Sequence, residues 1–340
     1  MRYTDRYMAD LARIRESIPD WEALRGKSVL VTGAGGLICS ALVDALMSMG
    51  DVRVYAAGRN TQKLQKRFVY WADNRNLHFL QYDAALPLAF NQRFDYLFHG
   101  ASNASPAAYS TQPVETMLAN FVGMENILRY AKDSGAKRVL YVSSSEVYGK
   151  KEGCDPYHEQ EYGFVDLLNP RACYPSSKRA AETLCAAYGA EYGVDTVIVR
   201  PGHVYGPTCT DSDNRASSQF PRDALAGKNI VMKSAGSQLR SYCYVLDCVS
   251  AMLAVLLRGE TGHAYNISNP DSIVTIRQMA QCFADAAGVS LVFDNPTDAE
   301  AKSYNLMDNS ALDSTALEAL GWHGLFDLAS GVEATLDAMK

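Results

Sequence analysis

The feature that most constrains the fold is a regular alternation of short apolar runs with helical patterns. Apolar runs of strand length occur at 28–32, 52–57, 77–82, 95–100, 138–143 and 195–200. Stretches with apolar residues at i, i+3/i+4 spacing separate most of these runs, at 37–49, 61–71, 112–134 and 174–192. Strands separated by helices form a parallel sheet. The sequence therefore predicts an α/β fold built on a doubly wound parallel sheet, with a ligand crevice at the carboxyl ends of its strands.

The pattern changes after Pro201. Gly, Pro, Asp, Ser and Asn interrupt residues 202–218, and shorter helical patterns follow near 247–258, 275–286, 310–320 and 327–339. A single core stops growing at about 250 to 300 residues, so this chain is long enough for a second lobe. We predict a sheet domain over 1–200, which includes an N-terminal helix, and a smaller, mostly helical lobe over 201–340. Some strands and helices are expected to cross over.

Composition and charge exclude several classes of protein. The formal net charge is −6 with no long like-charge block, which predicts no nucleic-acid partner and no membrane partner. No apolar run approaches the roughly 20 residues of a transmembrane helix, and residues 1–21 have the spacing of an amphipathic helix, not of a signal peptide. Eight cysteines without a Cys-x-x-Cys pair, and six histidines without an i, i+4 pair, indicate reduced thiols and no metal site. We therefore expect a soluble, cytoplasmic protein.

A glycine turn follows the first predicted strand. Gly33 and Gly36 stand in the segment VLVTGAGGLICS, at the start of a predicted helix. In that context backbone N–H groups and the helix dipole hold a pyrophosphate, which predicts a Rossmann-like, dinucleotide-binding domain over 1–200. A glycine normally fills the third position of this fingerprint and lets helix and strand pack closely, but here that position is Cys39. A simple strand-to-helix turn is the alternative interpretation.

Two residues near the ends of later strands bear on the choice of dinucleotide. Arg59 follows the second strand, where an acidic residue would bind the adenosine ribose. An arginine there can pair with a 2′-phosphate, which favours NADP, and a solvated loop cation is the alternative. Asp83 follows the third strand and is placed either to contact the adenine edge or to cap a helix.

Tyr174 and Lys178 are the first candidates for catalysis. They are four residues apart at the start of a predicted helix and therefore share one face. A nearby ammonium stabilises a phenolate and lowers the pKa of a tyrosine, which makes a general base for an alcohol. The fifth strand ends in SSSEVYG, which brings Ser144 and Glu146 to the edge of the sheet where ligand chemistry is expected. Together the two motifs predict an active site.

These motifs jointly resemble those of the extended short-chain dehydrogenase/reductase family, the NAD-dependent epimerases and dehydratases, over essentially the whole chain. The matching segments are VTGAGG, FHGAS, NFVGMENIL, SSSEVYG, YPSSK, RPGHVYGP, RSYCYVLD and LGW. Within the family, ASNASPAAY, NPRACYPSSKRAAET and RASSQF are most similar to the UDP-glucuronate decarboxylase (UDP-xylose synthase) branch.

The resemblance implies a cofactor, a substrate and an assembly. The cofactor is a tightly bound nicotinamide dinucleotide. It is expected to be NAD, because the decarboxylases of the family use NAD. Its binding residues would be Gly33, Gly36, Leu37, Ile38, Arg59, Asp83, Ala101, Tyr174 and Lys178. The substrate is a nucleotide diphosphate sugar, with a UDP-sugar expected first, and its binding residues would be Ser105, Ser145, His203, Arg215 and Arg240. The resemblance also implies a homodimer packed through the helices 112–134 and 174–192.

At one of these substrate positions the chain departs from the family. His203 stands where the family usually has an Asn near the substrate diphosphate. The imidazole can still donate a hydrogen bond to a phosphate, and a packed structural histidine is the alternative.

The implied chemistry begins with oxidation of the sugar at C4. The catalytic residues would be Ser144, Glu146, Tyr174 and Lys178. A C6 carboxylate would then leave as carbon dioxide, with Glu146 and Arg240 near the reacting end, whereas a C6 hydroxyl would leave as water. The 4,6-dehydratases of the family carry an Asp just before this Glu, and here the position is Ser145. Decarboxylation is therefore favoured over 4,6-dehydration. A simple 4-epimerase needs no carboxylate at this place, so Glu146 argues against it, and the presence of Ser144, Tyr174 and Lys178 argues against a non-catalytic nucleotide-sugar binding protein. A 4-ketoreductase stays open as an alternative.

Overall fold

The fold is described by a computed structural model for residues 1–153, 155–210, 213, 215–296 and 308–340. In this part of the chain a seven-stranded parallel sheet forms the centre of the molecule. Its strands are β1 (Ser28–Thr32), β2 (Arg53–Gly58), β3 (Leu77–Gln81), β4 (Tyr96–His99), β5 (Arg138–Val142), β6 (Thr196–Pro201) and β10 (Ala264–Ile267). They lie in the order β3-β2-β1-β4-β5-β6-β10. The predicted doubly wound sheet is confirmed.

Helices cover both faces of this sheet. They are α1 (Asp5–Ser17), α2 (Leu37–Ser48), α3 (Thr61–Arg67), α4 (Pro106–Thr111), α5 (Pro113–Ser134), α6 (Cys173–Tyr192) and α8 (Val245–Arg258). Side chains that alternate along a strand point to opposite layers. Thus Val29 and Val31 pack in one apolar cluster with α1, α2 and α8, and Leu30 packs in the other with α5 and α6. Burial on both faces explains why these strands are continuous apolar runs in the sequence.

The chain after β6 builds a smaller lobe and also returns to the large sheet through α8 and β10. The strands of the lobe are β7 (His203–Tyr205), β8 (Ile230–Met232), β9 (Leu239–Tyr244), β11 (Ile273–Thr275), β12 (Leu291–Phe293) and β13 (Asn309–Ser310). Its helices are α7 (Ala216–Leu225), α9 (Ile276–Ala287), α10 (Thr315–Glu318) and α11 (Leu328–Met339). β9 pairs with β7, β11 and β13, and β8 pairs with β12.

The helical pattern near 310–320 is only partly helical, because β13 and the short helix α10 occupy this stretch. No helix in the described ranges combines the length and the apolar content that crossing a membrane requires.

Candidate active site

The glycine turn after β1 lies against the end of β4, where the strand order of the sheet reverses. Gly33 has a φ of +69°, and a Cβ on it would lie 2.7 Å from the Gly100 carbonyl oxygen and 2.8 Å from the Ala101 nitrogen. Gly36 is the N-cap residue of α2, whose first two residues are Leu37 and Ile38. A bare backbone turn at a helix N-terminus fits a pyrophosphate, because the free N–H groups and the helix dipole favour an anion.

Cys39 is accommodated by a glycine on the neighbouring strand end. Its side chain is buried, and a Cβ on Gly100 would lie only 2.3 Å from the Cys39 sulfur. Gly100 therefore provides the space that a glycine at position 39 would otherwise provide. Burial raises the pKa of the Cys39 thiol to about 12, so this thiol stays protonated at neutral pH.

Arg59 and Asp83 follow the neighbouring strands β2 and β3. Arg59 is exposed directly after β2, and Gly58 of that strand pairs with Gln81 of β3, two residues before Asp83. Asp83 is exposed, and its Oδ1 accepts a hydrogen bond of 3.0 Å from the backbone N–H of Ala85. Both residues therefore follow strands at the carboxyl edge of the sheet, where the crevice is expected. The Oδ2 of Asp83 takes no part in the hydrogen bond with Ala85.

Tyr174 and Lys178 lie on the first turns of α6, and both are buried. The Lys178 Nζ donates a hydrogen bond of 2.8 Å to the carbonyl oxygen of Val142, at the end of β5. It lies 5.6 Å from the ring centroid of Tyr174 and 4.7 Å from that of Tyr141. The helix therefore places the two residues side by side against the carboxyl end of the sheet, as their spacing predicts.

The pKa values of this pair correct one expectation from the sequence. Burial raises the pKa of Tyr174 to about 12, with a further increase from the charge of Glu146, although a hydrogen bond with Ser144 lowers it. Burial also lowers the pKa of Lys178 to about 7. The sequence predicts a lowered tyrosine pKa, which is wrong for these residues on their own, because loss of solvent disfavours both charged forms.

Ser144, Ser145 and Glu146 follow β5 at the start of a 3₁₀ helix, Ser145–Tyr148. The Ser144 Oγ accepts a hydrogen bond of 3.2 Å from the backbone N–H of Glu146, and the Ser144 side chain lies near enough to Tyr174 to lower the pKa of its phenol. Ser145 is buried. The structure therefore brings the hydroxyl of Ser144 to the phenol of Tyr174, with the carboxylate of Glu146 close enough to raise the pKa of that phenol.

Sequence reasoning missed two residues that complete this group. Arg171 donates to both carboxylate oxygens of Glu146, with Nη1 3.0 Å from Oε2 and Nη2 3.1 Å from Oε1. Tyr109 stacks on Tyr174 with ring centroids 4.5 Å apart and planes 21° apart. Both lie in segments that carry the family resemblance, ASNASPAAY and NPRACYPSSKRAAET, which was the available signal. Their contacts cross from one segment to another and leave no local pattern.

Apart from Ser145, the predicted substrate residues lie at the N-termini of α4 and α7 and on the small sheet. Ser105 is the N-cap residue of α4, where its Oγ accepts a hydrogen bond of 3.2 Å from the Ala108 N–H. The Arg215 guanidinium is paired with Asp213, with Nη2 2.5 Å from Oδ2. Arg240 is buried on β9 and donates a hydrogen bond of 2.9 Å to the carbonyl oxygen of Leu239.

His203 lies on β7 beside these arginines. Its ring packs against Tyr242, with ring centroids 5.7 Å apart. Burial and the charges of Arg240 and Arg215 lower the pKa of His203 to about 3, so the imidazole is neutral. Its Nδ1 is buried and has no hydrogen-bond partner within the described ranges. The neutral imidazole keeps a ring nitrogen for a further hydrogen bond.

Comparisons with known proteins identify relatives of this chain. The model of the NAD dependent epimerase/dehydratase family matches residues 29–268. UDP-glucuronic acid decarboxylase 1 of Xenopus tropicalis is 32% identical over 317 residues, 91% of this chain and 71% of that protein. UDP-glucuronic acid decarboxylase 3 of Arabidopsis thaliana is 32% identical over 308 residues, 89% of this chain and 86% of that protein.

A solved structure supports the same fold. UDP-glucuronic acid 4-epimerase from Bacillus cereus, in complex with UDP-glucuronic acid and NAD, superposes with a TM-score of 0.78 at 22% identity. The match covers 92% of this chain and 98% of that chain.

Proposed function

The chain belongs to the NAD dependent epimerase/dehydratase family, and we propose that it is a nucleotide-sugar-modifying enzyme of the UDP-glucuronate decarboxylase type. One observation carries the proposal: the carboxylate of Glu146 lies beside the Ser144–Tyr174 pair, and the residue between Ser144 and Glu146 is a serine. An oxidation centre is thus combined with a carboxylate but without the neighbouring acid that a dehydratase uses.

The glycine turn supports NAD as the resident cofactor. The bare backbone at Gly33, the N-terminus of α2 and the nearby Ala101 would hold the pyrophosphate, and Asp83 would face the adenine. The bound, oxidised dinucleotide supplies a hydride acceptor and a positive charge that favours the phenolate of Tyr174. NADP is a second form of the cofactor, favoured only by Arg59.

The chain's own residues handle the proton of the C4 hydroxyl. Tyr174 accepts this proton at its phenolic oxygen, and Ser144 hydrogen-bonds the same sugar oxygen. Lys178 is fixed by its hydrogen bond to Val142, and its ammonium holds the cofactor ribose and stabilises the phenolate. The sugar then carries a ketone at C4.

The ketone makes the next step possible when C6 is a carboxylate. The electron pair of the C5–C6 bond passes toward the C4 carbonyl, carbon dioxide leaves, and C5 takes up a proton. Glu146 and Arg240 are assigned to the reacting end of the sugar in this step, with Ser145 beside them. The product would be a pentose, and a dinucleotide bound here would not be consumed overall.

The smaller lobe that follows β6 is assigned to the nucleotide diphosphate. Arg215 and the neutral His203 form a group with positive charge there, and Ser105, the N-cap residue of α4, is assigned to the same ligand. We expect a UDP-sugar here, by analogy with the named relatives. We further assign the enzyme to the cytoplasm, because the cysteines in the described part of the chain are free thiols.

The proposal is tested by weighing products. The NAD-loaded protein is incubated with UDP-, dTDP-, GDP- and CDP-sugars, uronic acids included. We expect loss of carbon dioxide from UDP-glucuronate. Loss of water, or an isomer of unchanged mass, from another sugar nucleotide would replace decarboxylation by dehydration or epimerisation. Binding without turnover of any sugar would favour a binding protein.

A further inference from the structure

Arg171 is placed by a turn that the sequence builds directly before α6. It lies in the 3₁₀ helix Pro170–Ala172, and the Asn169 side chain accepts a hydrogen bond of 2.9 Å from the backbone N–H of Arg171. The guanidinium makes a two-point ion pair with Glu146, at 3.0 and 3.1 Å. The side chains of Arg171 and Glu146 are 35% and 25% exposed, so the pair is half-buried. A two-point pair of this kind fixes the orientation as well as the charge of the carboxylate.

The other face of Arg171 connects the ion pair to the proposed base. The guanidinium carbon lies 4.5 Å from the ring centroid of Tyr109. That ring in turn stacks on Tyr174, with centroids 4.5 Å apart. Guanidinium, Tyr109 and Tyr174 are therefore three successive layers. The Arg171–Glu146 pair borders the place where the sugar must lie if Tyr174 is to take its proton.

Two of the guanidiniums around this place are each paired with a carboxylate. Arg215 is held by Asp213, which accepts from its Nε at 2.9 Å and from its Nη2 at 2.5 Å. Glu146 is held by Arg171 in the same manner. Without Arg171, the carboxylate of Glu146 would stand unneutralised next to the base. Like charges brought together in a partly desolvated site repel each other, so a second carboxylate would be disfavoured there.

We propose that Arg171 neutralises Glu146 so that the cleft accepts a sugar that itself carries a carboxylate. The inference rests on the proposed function, because it assigns the substrate class of the same site. Arg171 acts through Glu146 and is therefore a positioning and specificity-determining residue. The same enzyme with a bare Glu146 would still bind a neutral sugar nucleotide but would discriminate against a uronic acid.

The test compares the binding of two ligands that differ only at C6. Calorimetric titrations of wild-type protein and of Arg171→Ala, both loaded with the reduced dinucleotide so that C4 is not oxidised and no sugar is turned over, use UDP-glucuronate and UDP-glucose. We expect Arg171→Ala to weaken UDP-glucuronate binding at least about tenfold, because Glu146 then repels the uronate carboxylate. UDP-glucose binding should change less than about threefold. The double variant Glu146→Gln/Arg171→Ala, which lacks both charges, should bind UDP-glucuronate again within about threefold of wild type.

Arg129→Ala is the matched control, because Arg129 also pairs with a glutamate, Glu125, but on the surface of α5. It should change neither affinity. Equal losses for both sugars in Arg171→Ala, no loss for UDP-glucuronate, or a double variant no better than Arg171→Ala would overturn the proposal. If Arg171→Ala does not fold, Arg171→Gln is used with the same criteria. Failure of wild type to bind either sugar would contradict the proposed function itself, whereas binding without carbon dioxide release by the NAD-loaded protein would contradict only the reaction.

Discussion

At the scale of one residue, the buried Lys178 lowers the stability of the folded protein while it serves the chemistry of the site. Its ammonium is buried, and a single hydrogen bond to the Val142 carbonyl oxygen is the contact that orients it. Burial lowers the pKa of Lys178 from 10.5 to about 7. The unfolded chain therefore binds this proton more tightly than the folded protein, and the folded protein loses stability as the pH falls from about 10.5 to about 7.

We predict that Lys178→Met is inactive and yet more stable than wild type at pH 7. Methionine fills a similar volume without a charge to desolvate. The gain should shrink as the pH rises toward 10.5, because lysine is then neutral in both states. Urea unfolding of the cofactor-free proteins across this range measures the difference. A variant less stable than wild type at pH 7 would show that the hydrogen bond from Lys178 to Val142 contributes more to stability than desolvation of the ammonium costs.

A second prediction at the residue scale concerns Arg59 and the choice between NAD and NADP. If its exposed guanidinium meets a 2′-phosphate, Arg59→Ala should weaken NADP binding at least about tenfold and leave NAD binding nearly unchanged. Titration of the cofactor-free protein with each dinucleotide gives both affinities. Equal losses, or no loss for either, would identify Arg59 as a solvated loop cation and leave NAD as the sole cofactor.

At the scale of elements, the packing of α2 on the sheet depends on Cys39 and Gly100. A methyl group on Gly100 would lie 2.3 Å from the Cys39 sulfur, whereas its next contacts, at 3.5 and 3.7 Å, are ordinary. We predict that Gly100→Ala lowers the free energy of unfolding by about 1–3 kcal/mol through overpacking. Adding Cys39→Ala to the Gly100→Ala variant should restore most of the lost free energy of unfolding. Thermal unfolding of both single variants and the double variant measures this coupling. If the two single effects on the free energy of unfolding simply add in the double variant, the account is contradicted.

The elements also show what sequence patterns can and cannot reveal. Strands buried on both faces, such as β1 and β5, are continuous apolar runs and could be placed to within a residue. The short strands of the small lobe could not, because two to six residues leave no clear period. Glu146, Tyr174 and Lys178 were predicted from their motifs. The Arg171 pair and the raised pKa of Tyr174 depend on tertiary contacts and burial, which no local pattern encodes.

At the scale of the whole molecule, one face of α5 favours the proposed homodimer. Val114, Met117, Leu118 and Phe121 are between 43% and 61% exposed and recur at i, i+3, i+4 and i+7, which makes an apolar stripe on the surface. A second copy packed through α5 and α6 would cover this stripe and those of its partner by two-fold symmetry.

We predict that Leu118→Glu converts the protein to a monomer, because a charge in the centre of an apolar interface must be desolvated without a partner. Sedimentation velocity measures the mass in solution. Lys66→Glu is the control, since it lies on α3, which packs on the opposite face of the sheet. A wild-type protein that sediments as a monomer, or a Leu118→Glu variant that stays dimeric, would exclude this interface.

The most direct test of the central claim is a single-turnover absorbance measurement on Glu146→Gln with bound NAD and UDP-glucuronate. The variant keeps Ser144, Tyr174 and Lys178, which oxidise C4, but loses the charge that faces the reacting end of the sugar. We predict that the absorbance of reduced nicotinamide rises and then persists, while carbon dioxide release is slowed at least about a hundredfold. Turnover at the wild-type rate without accumulation of reduced cofactor would contradict the account and make Glu146 a structural carboxylate.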